Sequence, residues 1–221
     1  MTTKVPLARR VSDLAALLGG LALFLACAFL ASSGRVGPDE RAVFDAINGL
    51  PRWLEPLMQG AQFLGVLMVG PVVALIALAA GRARLAFAIV LVTLTKLVAE
   101  RIVWEILVRE RPGTTIPGAI VASGVSTEGP AFVSGHVVLT TAISVVATPW
   151  LPRRWRPVPW IAVALVALAR PYLGAHAPLD VVGGLGLGLA IGGAANLLVG
   201  VPAGRPEPRT REATVPDSSV D

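Results

Sequence analysis

Four long segments of this chain contain no Asp, Glu, Lys or Arg, and they restrict its possible folds more than any other feature. They cover residues 14–34, 57–81, 129–152 and 181–204. A helix needs roughly 20 apolar residues to cross a bilayer, and each segment is that long. Two further apolar segments, residues 85–108 and 157–175, contain a few charges. The pattern predicts an all-α fold, a polytopic bundle of six transmembrane helices.

The overall composition agrees with a membrane protein. Charged residues make up 15% of the chain, hydrophobic residues 54%, and the mean hydropathy is +0.71. A soluble domain has about 25% charged residues. The net charge of +5 is spread over short loops without interleaved aromatic residues, so we predict no nucleic-acid partner. The bilayer is the expected partner, and the oligomeric state is left open.

The basic residues also predict an orientation, because cytoplasmic loops collect Lys and Arg. With the N-terminus inside, more basic residues fall on the inner side than on the outer side. The inner segments contain Lys4, Arg9, Arg10, Arg82, Arg84, Arg153, Arg154, Arg156, Arg205, Arg209 and Arg211, and the outer segments contain Arg35, Arg41, Arg52, Arg109 and Arg111. We therefore predict a multi-pass protein of the plasma (inner) membrane with both termini in the cytoplasm.

The chain divides into residues 1–10 as a cytoplasmic tail, residues 11–200 as one membrane domain, and residues 201–221 as a disordered cytoplasmic tail. Apolar residues recur at helical spacing in residues 39–57, which indicates either a short amphipathic interfacial helix after the first span or an ordinary packed loop. The first apolar run is too long for a signal peptide, so we expect a retained span. The glycines of residues 183–193 predict close helix packing.

Three polar clusters fall on the outer face in this topology. His136 follows Ser134 and Gly135 at the start of the fourth span. Arg170, His176 and Asp180 lie where the fifth span reaches the outer face, and Arg111 closes the third span. These are the only two histidines of the chain. Their convergence on one face predicts a single site.

Hydrolysis of a phosphomonoester needs cations, a nucleophile and an acid for the leaving oxygen. Arg111 and Arg170 are suited to bind phosphate because a guanidinium binds it bidentately and stays charged. Ser134, with the Gly135 and His136 amides, adds donors if these residues open a helix.

An imidazole such as that of His176 is a competent nucleophile when a carboxylate holds its second nitrogen. Asp180, four residues on, supplies that carboxylate if the segment is helical, or through a turn, because Pro178 intervenes. A metal site is the other use for two His and an Asp. With arginines beside them and no thiolate nearby, anion binding fits better, so we predict no metal and no cofactor.

At these residues the chain resembles the type 2 phosphatidic acid phosphatase superfamily, the lipid phosphate phosphatases. That family has the motifs Lys-x6-Arg-Pro, Pro-Ser-Gly-His and Ser-Arg-x5-His-x3-Asp. The third motif is matched by Ala169, Arg170, His176 and Asp180 with its spacing intact, and Ala replaces only the leading Ser. The second has Val133 in place of Pro, and the first retains Arg111 and Pro112. The resemblance covers roughly residues 35–200.

The resemblance implies a mechanism without a metal ion. His176 would attack phosphorus to form a phosphohistidine, with Asp180 orienting it, and His136 would protonate the leaving group and then activate water. The phosphate oxygens would be held by Arg111, Arg170, Ser134 and Gly135.

One departure from the family concerns its lysine, which would fall at Trp104. Lys96 lies about 22 Å back from Arg111 along a helix, so we expect it to be too deep to substitute. Arg109 falls on roughly the opposite side of an ideal helix. The i,i+4 pairs Lys96–Glu100 and Arg101–Glu105 are expected to neutralise each other.

The sequence therefore predicts a lipid phosphatase whose active site faces the extracytoplasmic side. Its substrate would be a lipid phosphate such as a polyprenyl pyrophosphate, phosphatidic acid, phosphatidylglycerol phosphate or a prenyl-phosphoryl sugar. The alternative is a catalytically weak or inactive member that binds or scaffolds phospholipids. A small transporter would need paired broken helices or repeat symmetry, and the sequence indicates neither.

Overall fold

The computed structural model describes residues 7–203, which are predominantly helical. The helices are α1 (Val11–Ala31), α2 (Pro38–Asn48), α3 (Glu55–Gln62), α4 (Val69–Ala79), α5 (Ala83–Ile106), α6 (Pro112–Thr115), α7 (Gly135–Ala147), α8 (Pro157–Tyr172) and α9 (Pro178–Val199). Short 3-10 turns cover Arg52–Leu54, Phe63–Gly65, Thr148–Trp150 and Arg153–Trp155. Two-residue strands, β1 (Leu7–Ala8) and β2 (Val201–Pro202), pair antiparallel. The predicted all-helical character is confirmed, apart from this small sheet.

Two of these helices, α1 and α9, are long and apolar enough to cross a membrane. A third span is formed if Arg52–Gly65 and Val69–Ala79 are counted together, although they are bent by 64° at their junction. The count of six spans stays a prediction. The sequence had indicated no broken helix, and this bend therefore corrects that expectation for one segment.

The outer surface of the helices is apolar, as a bilayer requires. Large hydrophobic side chains are exposed on α1, α4 and α5, including Phe29, Leu75 and Val98. An apolar exterior of this extent marks a surface that contacts membrane or protein. The helices and their surface together indicate a membrane protein.

Helix α9 lies between α1 and α7, and its glycines make both contacts possible. A Cβ at Gly186 would lie 2.6 Å from the backbone nitrogen of Phe24, and one at Gly193 would lie 2.6 Å from the carbonyl oxygen of Asp13 in α1. On the other face, a Cβ at Gly188 would lie 2.6 Å from Cβ of Thr141 in α7. These distances are shorter than side chains tolerate, which confirms the prediction that the glycines allow close helix packing.

Helix α2 occupies the first part of the predicted amphipathic segment. It buries Phe44 and Asn48 and packs against α8 and α9, and a 3-10 turn separates it from α3. Its location in the membrane interface stays a prediction. Of the predicted tails, residues 1–6 and 204–221 lie outside the described residues, and Val201–Pro202 is a strand rather than part of a disordered tail.

Candidate active site

The N-terminus of α7 forms one side of the candidate site. Ser134 is the N-cap residue with an extended backbone, and Gly135 and His136 are the first two residues of the helix. The Ser134 amide donates to the backbone oxygen of Asp180 at 3.0 Å, which joins the starts of α7 and α9. The Ser134 hydroxyl is buried and has no protein partner in the described chain. The expectation that these three residues open a helix is confirmed.

His176 lies in the turn between α8 and α9 and is almost fully buried. The turn requires Gly174, whose φ is +73° and whose Cβ would lie 2.5 Å from the backbone oxygen of Ile120. Asn48 of α2 holds the same region. Its amide donates to the backbone oxygens of Ile120, Pro171 and Tyr172 at 2.9–3.1 Å, and its Oδ1 accepts from Ile120 N–H at 2.8 Å.

Asp180 is fully buried in the first turn of α9. Its Oδ2 accepts from Ala177 N–H at 2.8 Å and lies 3.7 Å from Nδ1 of His176. The second distance exceeds that of a hydrogen bond, so the contact is electrostatic in this conformation. Because Pro178 begins the helix, His176 lies outside it. Of the two alternatives drawn from the sequence, the turn is therefore correct.

The two predicted phosphate-binding arginines approach from different elements. Arg170 is buried in the last turn of α8, where its Nη1 donates to Oε1 of Gln62 at 2.7 Å. Arg111 is partly buried and precedes α6. Within residues 7–203, Nε of Arg170 and Nε of Arg111 are buried without hydrogen-bond partners. Such donors, together with the Ser134 hydroxyl, are available to an anion.

His136 completes the group. It lies against Gly65, where an added Cβ would be 2.7 Å from Cβ of His136. The positive charges of Arg170 and Arg111 act on it, and His176 lies close by. The structure thus brings together all the site residues that the sequence predicted: His136, His176, Asp180, Arg111, Arg170, Ser134 and Gly135.

The electrostatics of the site favour a neutral His176. Burial is the main cause that lowers the pKa of His176 to about 4; Asp180 opposes it, and the positive charges of Arg170 and Arg111 add to it. Burial also lowers the pKa of Arg111, although Asp180 and Glu100 act against that change. A guanidinium remains charged despite such a shift. At neutral pH the site therefore combines a neutral imidazole with guanidinium cations.

Two expectations about basic residues are wrong. Arg109 does not point away, because α5 ends at Ile106 and the following segment is extended. The Arg109 side chain turns inward, is 1% exposed, and donates to Asp180 and Glu40. Lys96 is also not too deep to reach the site.

Lys96 and Glu100 form a buried ion pair of 2.5 Å directly beside Gly135. A Cβ on Gly135 would lie 1.9 Å from Oε1 of Glu100 and 2.9 Å from Nζ of Lys96. Lys96 lies beside the site because α7 begins at the same depth as the turn of α5 that contains Lys96. The expected neutralisation is confirmed here, and in the exposed Arg101–Glu105 pair at 3.0 Å.

Sequence reasoning missed three residues of α2 and α3: Gln62 contacts Arg170, Glu40 contacts Arg109 and Leu179 beside Asp180, and Asn48 holds the backbone before His176. Each lies in a segment with no motif, so only the packing of these helices reveals them. Trp104, at the position of the family's lysine, has a buried indole N–H without a partner in the described chain. Among residues 7–203, no group of three or more His, Cys, Asp or Glu is arranged to hold a metal ion.

Comparison with known proteins agrees with this architecture. The chain is 23% identical to a transmembrane PAP2-type phosphatidylglycerolphosphate phosphatase of Bacillus subtilis, with a TM-score of 0.70 over 82% of this chain and 94% of that one. It is 20% identical to LpxE of Aquifex aeolicus, with a TM-score of 0.59 over 70% and 92% of the two chains. At these identities the likenesses establish a shared fold.

No curated protein matches the sequence significantly. The family model of the PAP2 superfamily matches residues 82–201, which is more than half of the chain and includes both histidines. The chain therefore belongs to the PAP2 superfamily.

Proposed function

We propose that this protein is an integral membrane lipid phosphatase. It hydrolyses a phosphate or pyrophosphate monoester of a lipid, and it does so without a metal ion. The observation that carries the proposal is the meeting of a buried neutral imidazole, the Asp180 carboxylate beside it, and donors of Arg111, Arg170 and Ser134 that have no partner among residues 7–203. Membership of the PAP2 superfamily supports it, and the B. subtilis structural relative is itself a phosphatidylglycerolphosphate phosphatase.

In the first step, His176 acts as the nucleophile. Asp180 faces Nδ1, which favours a proton there and leaves the Nε2 lone pair free. As the bond between Nε2 and phosphorus forms, the bond from phosphorus to the lipid oxygen breaks. His136 gives its proton to that oxygen. The product is a phosphohistidine and a free lipid alcohol, or a lipid monophosphate when the substrate is a pyrophosphate.

In the second step, water attacks the phosphohistidine. His136, now neutral, takes the proton from water, the phosphorus–nitrogen bond breaks, and inorganic phosphate leaves. Arg111 and Arg170 neutralise the phosphoryl oxygens in both steps, and the Ser134 hydroxyl and the Gly135 amide donate to them at the start of α7. Negative charge on the transferring group is thereby stabilised at a helix N-terminus.

The site opens to the extracytoplasmic side of the plasma membrane, and the termini lie in the cytoplasm. The distribution of Lys and Arg between the loops supports this orientation. The substrate is then a lipid phosphate of the outer leaflet, such as a polyprenyl pyrophosphate, phosphatidic acid or phosphatidylglycerol phosphate.

A second candidate function is a catalytically weak or inactive protein that binds phospholipids. It is favoured by Trp104 at the family's lysine position and by Val133 and Ala169 in the other motifs. The retained nucleophile and its carboxylate favour the phosphatase, because a binding protein has no need of them.

Phosphate release from vesicles containing phosphatidic acid, a polyprenyl pyrophosphate or phosphatidylglycerol phosphate distinguishes the two. The wild-type protein in EDTA should release phosphate, His176→Ala should release none, and His136→Ala should release much less than wild type. Equal release by the variants would refute the mechanism. Binding to these vesicles without turnover on any lipid would favour the second candidate.

A further inference from the structure

Arg109 is the largest fully buried side chain in the described residues, and the mechanism above does not use it. It lies three residues beyond the end of α5. Its Nη1 donates to Oδ1 of Asp180 at 2.8 Å, and its Nη2 donates to Oε2 of Glu40 at 2.5 Å. The Arg109 guanidinium therefore bridges the Asp180 carboxylate and the Glu40 carboxylate.

Glu40 links this pair to the nucleophile segment a second time. Its other oxygen, Oε1, accepts from Leu179 N–H at 2.9 Å, in the first turn of α9. Glu40 is the third residue of α2, and its side chain is 8% exposed. The Glu40 carboxylate thus ties α2 to α9 beside Asp180.

The remaining oxygen of Asp180 is consequently aimed at His176. Arg109 occupies Oδ1, while Oδ2 is held by Ala177 N–H and is the oxygen near Nδ1. Rotation of the carboxylate would break both bonds. Its orientation is therefore determined by groups from two sides.

The charges matter as much as the geometry. Asp180 paired with Arg109 alone would be neutral overall, and its effect on the imidazole would be largely cancelled. With Glu40 the three side chains carry a net charge of −1, equal to that of a lone Asp180. The Glu40 carboxylate restores the net negative charge that the Arg109 guanidinium cancels.

We propose that Glu40 and Arg109 are positioning residues of the phosphatase site, which orient the Asp180 carboxylate toward His176 and preserve its negative charge. The inference rests on the proposed function for its role in catalysis. The contacts join α2, the segment after α5, and α9. A buried ion pair with only a structural role would affect folding but would leave the imidazole's titration unchanged.

The titration of His176 reports on this arrangement, and several charged groups face it. They are Asp180 from α9, Arg170 from α8 and Arg111 from the segment after α5, with His136 from α7. Arg109 and Glu40 act through their contacts with Asp180 and with each other, and the Lys96–Glu100 pair of α5 lies beside Gly135. The variants below change only Glu40 and Arg109. All other groups stay as they are.

The test uses the full chain in lipid nanodiscs with imidazole nitrogens labelled for NMR. Because the chain has two histidines, the His136→Ala background leaves only the His176 signal. In this background Glu40→Gln keeps the shape and the acceptor for Leu179 but removes the charge. We expect the pKa of His176 to fall by about one pH unit, a tenfold change in its protonation equilibrium.

The double variant Glu40→Gln, Arg109→Met should return the titration to near its wild-type position, because Asp180 alone carries the same net charge of −1 as the three side chains together. It also avoids leaving two carboxylates together without a guanidinium, so it protects folding. Matched controls are Asp39→Asn and Arg101→Met, which remove exposed charges nearby and should leave the titration unchanged. An unchanged titration in Glu40→Gln, or the same downward shift in the double variant as in Glu40→Gln, would overturn the proposal.

Turnover is measured separately with His136 restored and phosphatidic acid as substrate. We expect Glu40→Gln to lower kcat about tenfold while KM stays within about twofold of wild type, since no phosphate contact is removed. If the wild-type protein turned over neither phosphatidic acid nor the other two lipids of the vesicle assay, the proposed function alone would be refuted, because the NMR titration needs no substrate. A change in KM without a change in kcat would refute the positioning role.

Discussion

Replacement of Asn48 by Ala should release the segment that carries His176. The Asn48 amide shares its two hydrogens among the backbone oxygens of Ile120, Pro171 and Tyr172, and its oxygen accepts from Ile120 N–H. The side chain is 3% exposed, so water does not readily replace these bonds. The substitution thus removes contacts to two chain segments, at Ile120 and at Pro171 and Tyr172, and adds none.

The expected loss of stability follows from the number of hydrogen-bonding groups that Asn48 contributes. A buried hydrogen bond contributes about 1 kcal/mol net, so two donors and one acceptor correspond to about 3 kcal/mol. For a protein of this size each kcal/mol changes Tm by about 2–4 °C. We expect Asn48→Ala to lower Tm by about 6–12 °C. Activity below Tm should fall at least about tenfold, because His176 lies four residues beyond Tyr172 and loses its fixed position.

Asn196→Ala is the matched control. Asn196 is equally buried, and it donates to Asp13 and to the backbone oxygen of Val145 at the end of α9 far from His176. Its loss should lower Tm by about 4–8 °C and leave kcat/KM unchanged. Thermal unfolding in detergent and phosphate release from mixed micelles measure the two quantities. Equal losses of activity in both variants, or an unchanged Tm in Asn48→Ala, would refute the reasoning.

Three further predictions concern the site itself. Gly135→Ala should abolish most activity because its Cβ would displace the Glu100 carboxylate, whereas Gly60→Ala, with open space around it, should behave as wild type in the same phosphate assay. His136→Ala should reduce hydrolysis of a lipid monophosphate more than that of a lipid pyrophosphate, whose leaving group needs less protonation; equal losses would contradict the acid role. Because protonation of His176 removes the nucleophile, kcat/KM should hold steady as pH falls from 7 and decline only near its pKa of about 4; a decline centred near 6.5 would contradict the buried environment.

The parts of the fold that the sequence predicted well are those with strong local signals. The glycines of α9 follow one another at helical spacing, so their packing role required no knowledge of the partner helices. Likewise, a helix start at Ser134 and His136 could be anticipated, because the two residues lie at the outer end of a charge-free segment.

The errors arose where tertiary structure overrides helical extrapolation. Arg109 was assigned to the wrong side because an ideal helix was extended past Ile106, where the chain becomes extended. Lys96 was judged too deep because the height of Gly135 relative to α5 depends on how α7 packs. Glu40 carried no signal, since a carboxylate in the first turn of an amphipathic helix is ordinary.

The most direct test of His176 as the nucleophile is to trap the covalent intermediate. Wild-type protein is mixed with phosphatidic acid carrying a radiolabelled phosphate and quenched in alkali within milliseconds. Label should be found on His176 by mass spectrometry, with the acid lability of a phosphohistidine, and it should be absent from His176→Ala. Label on any other residue, or turnover with no labelled protein at any time, would contradict the claim that His176 is the nucleophile.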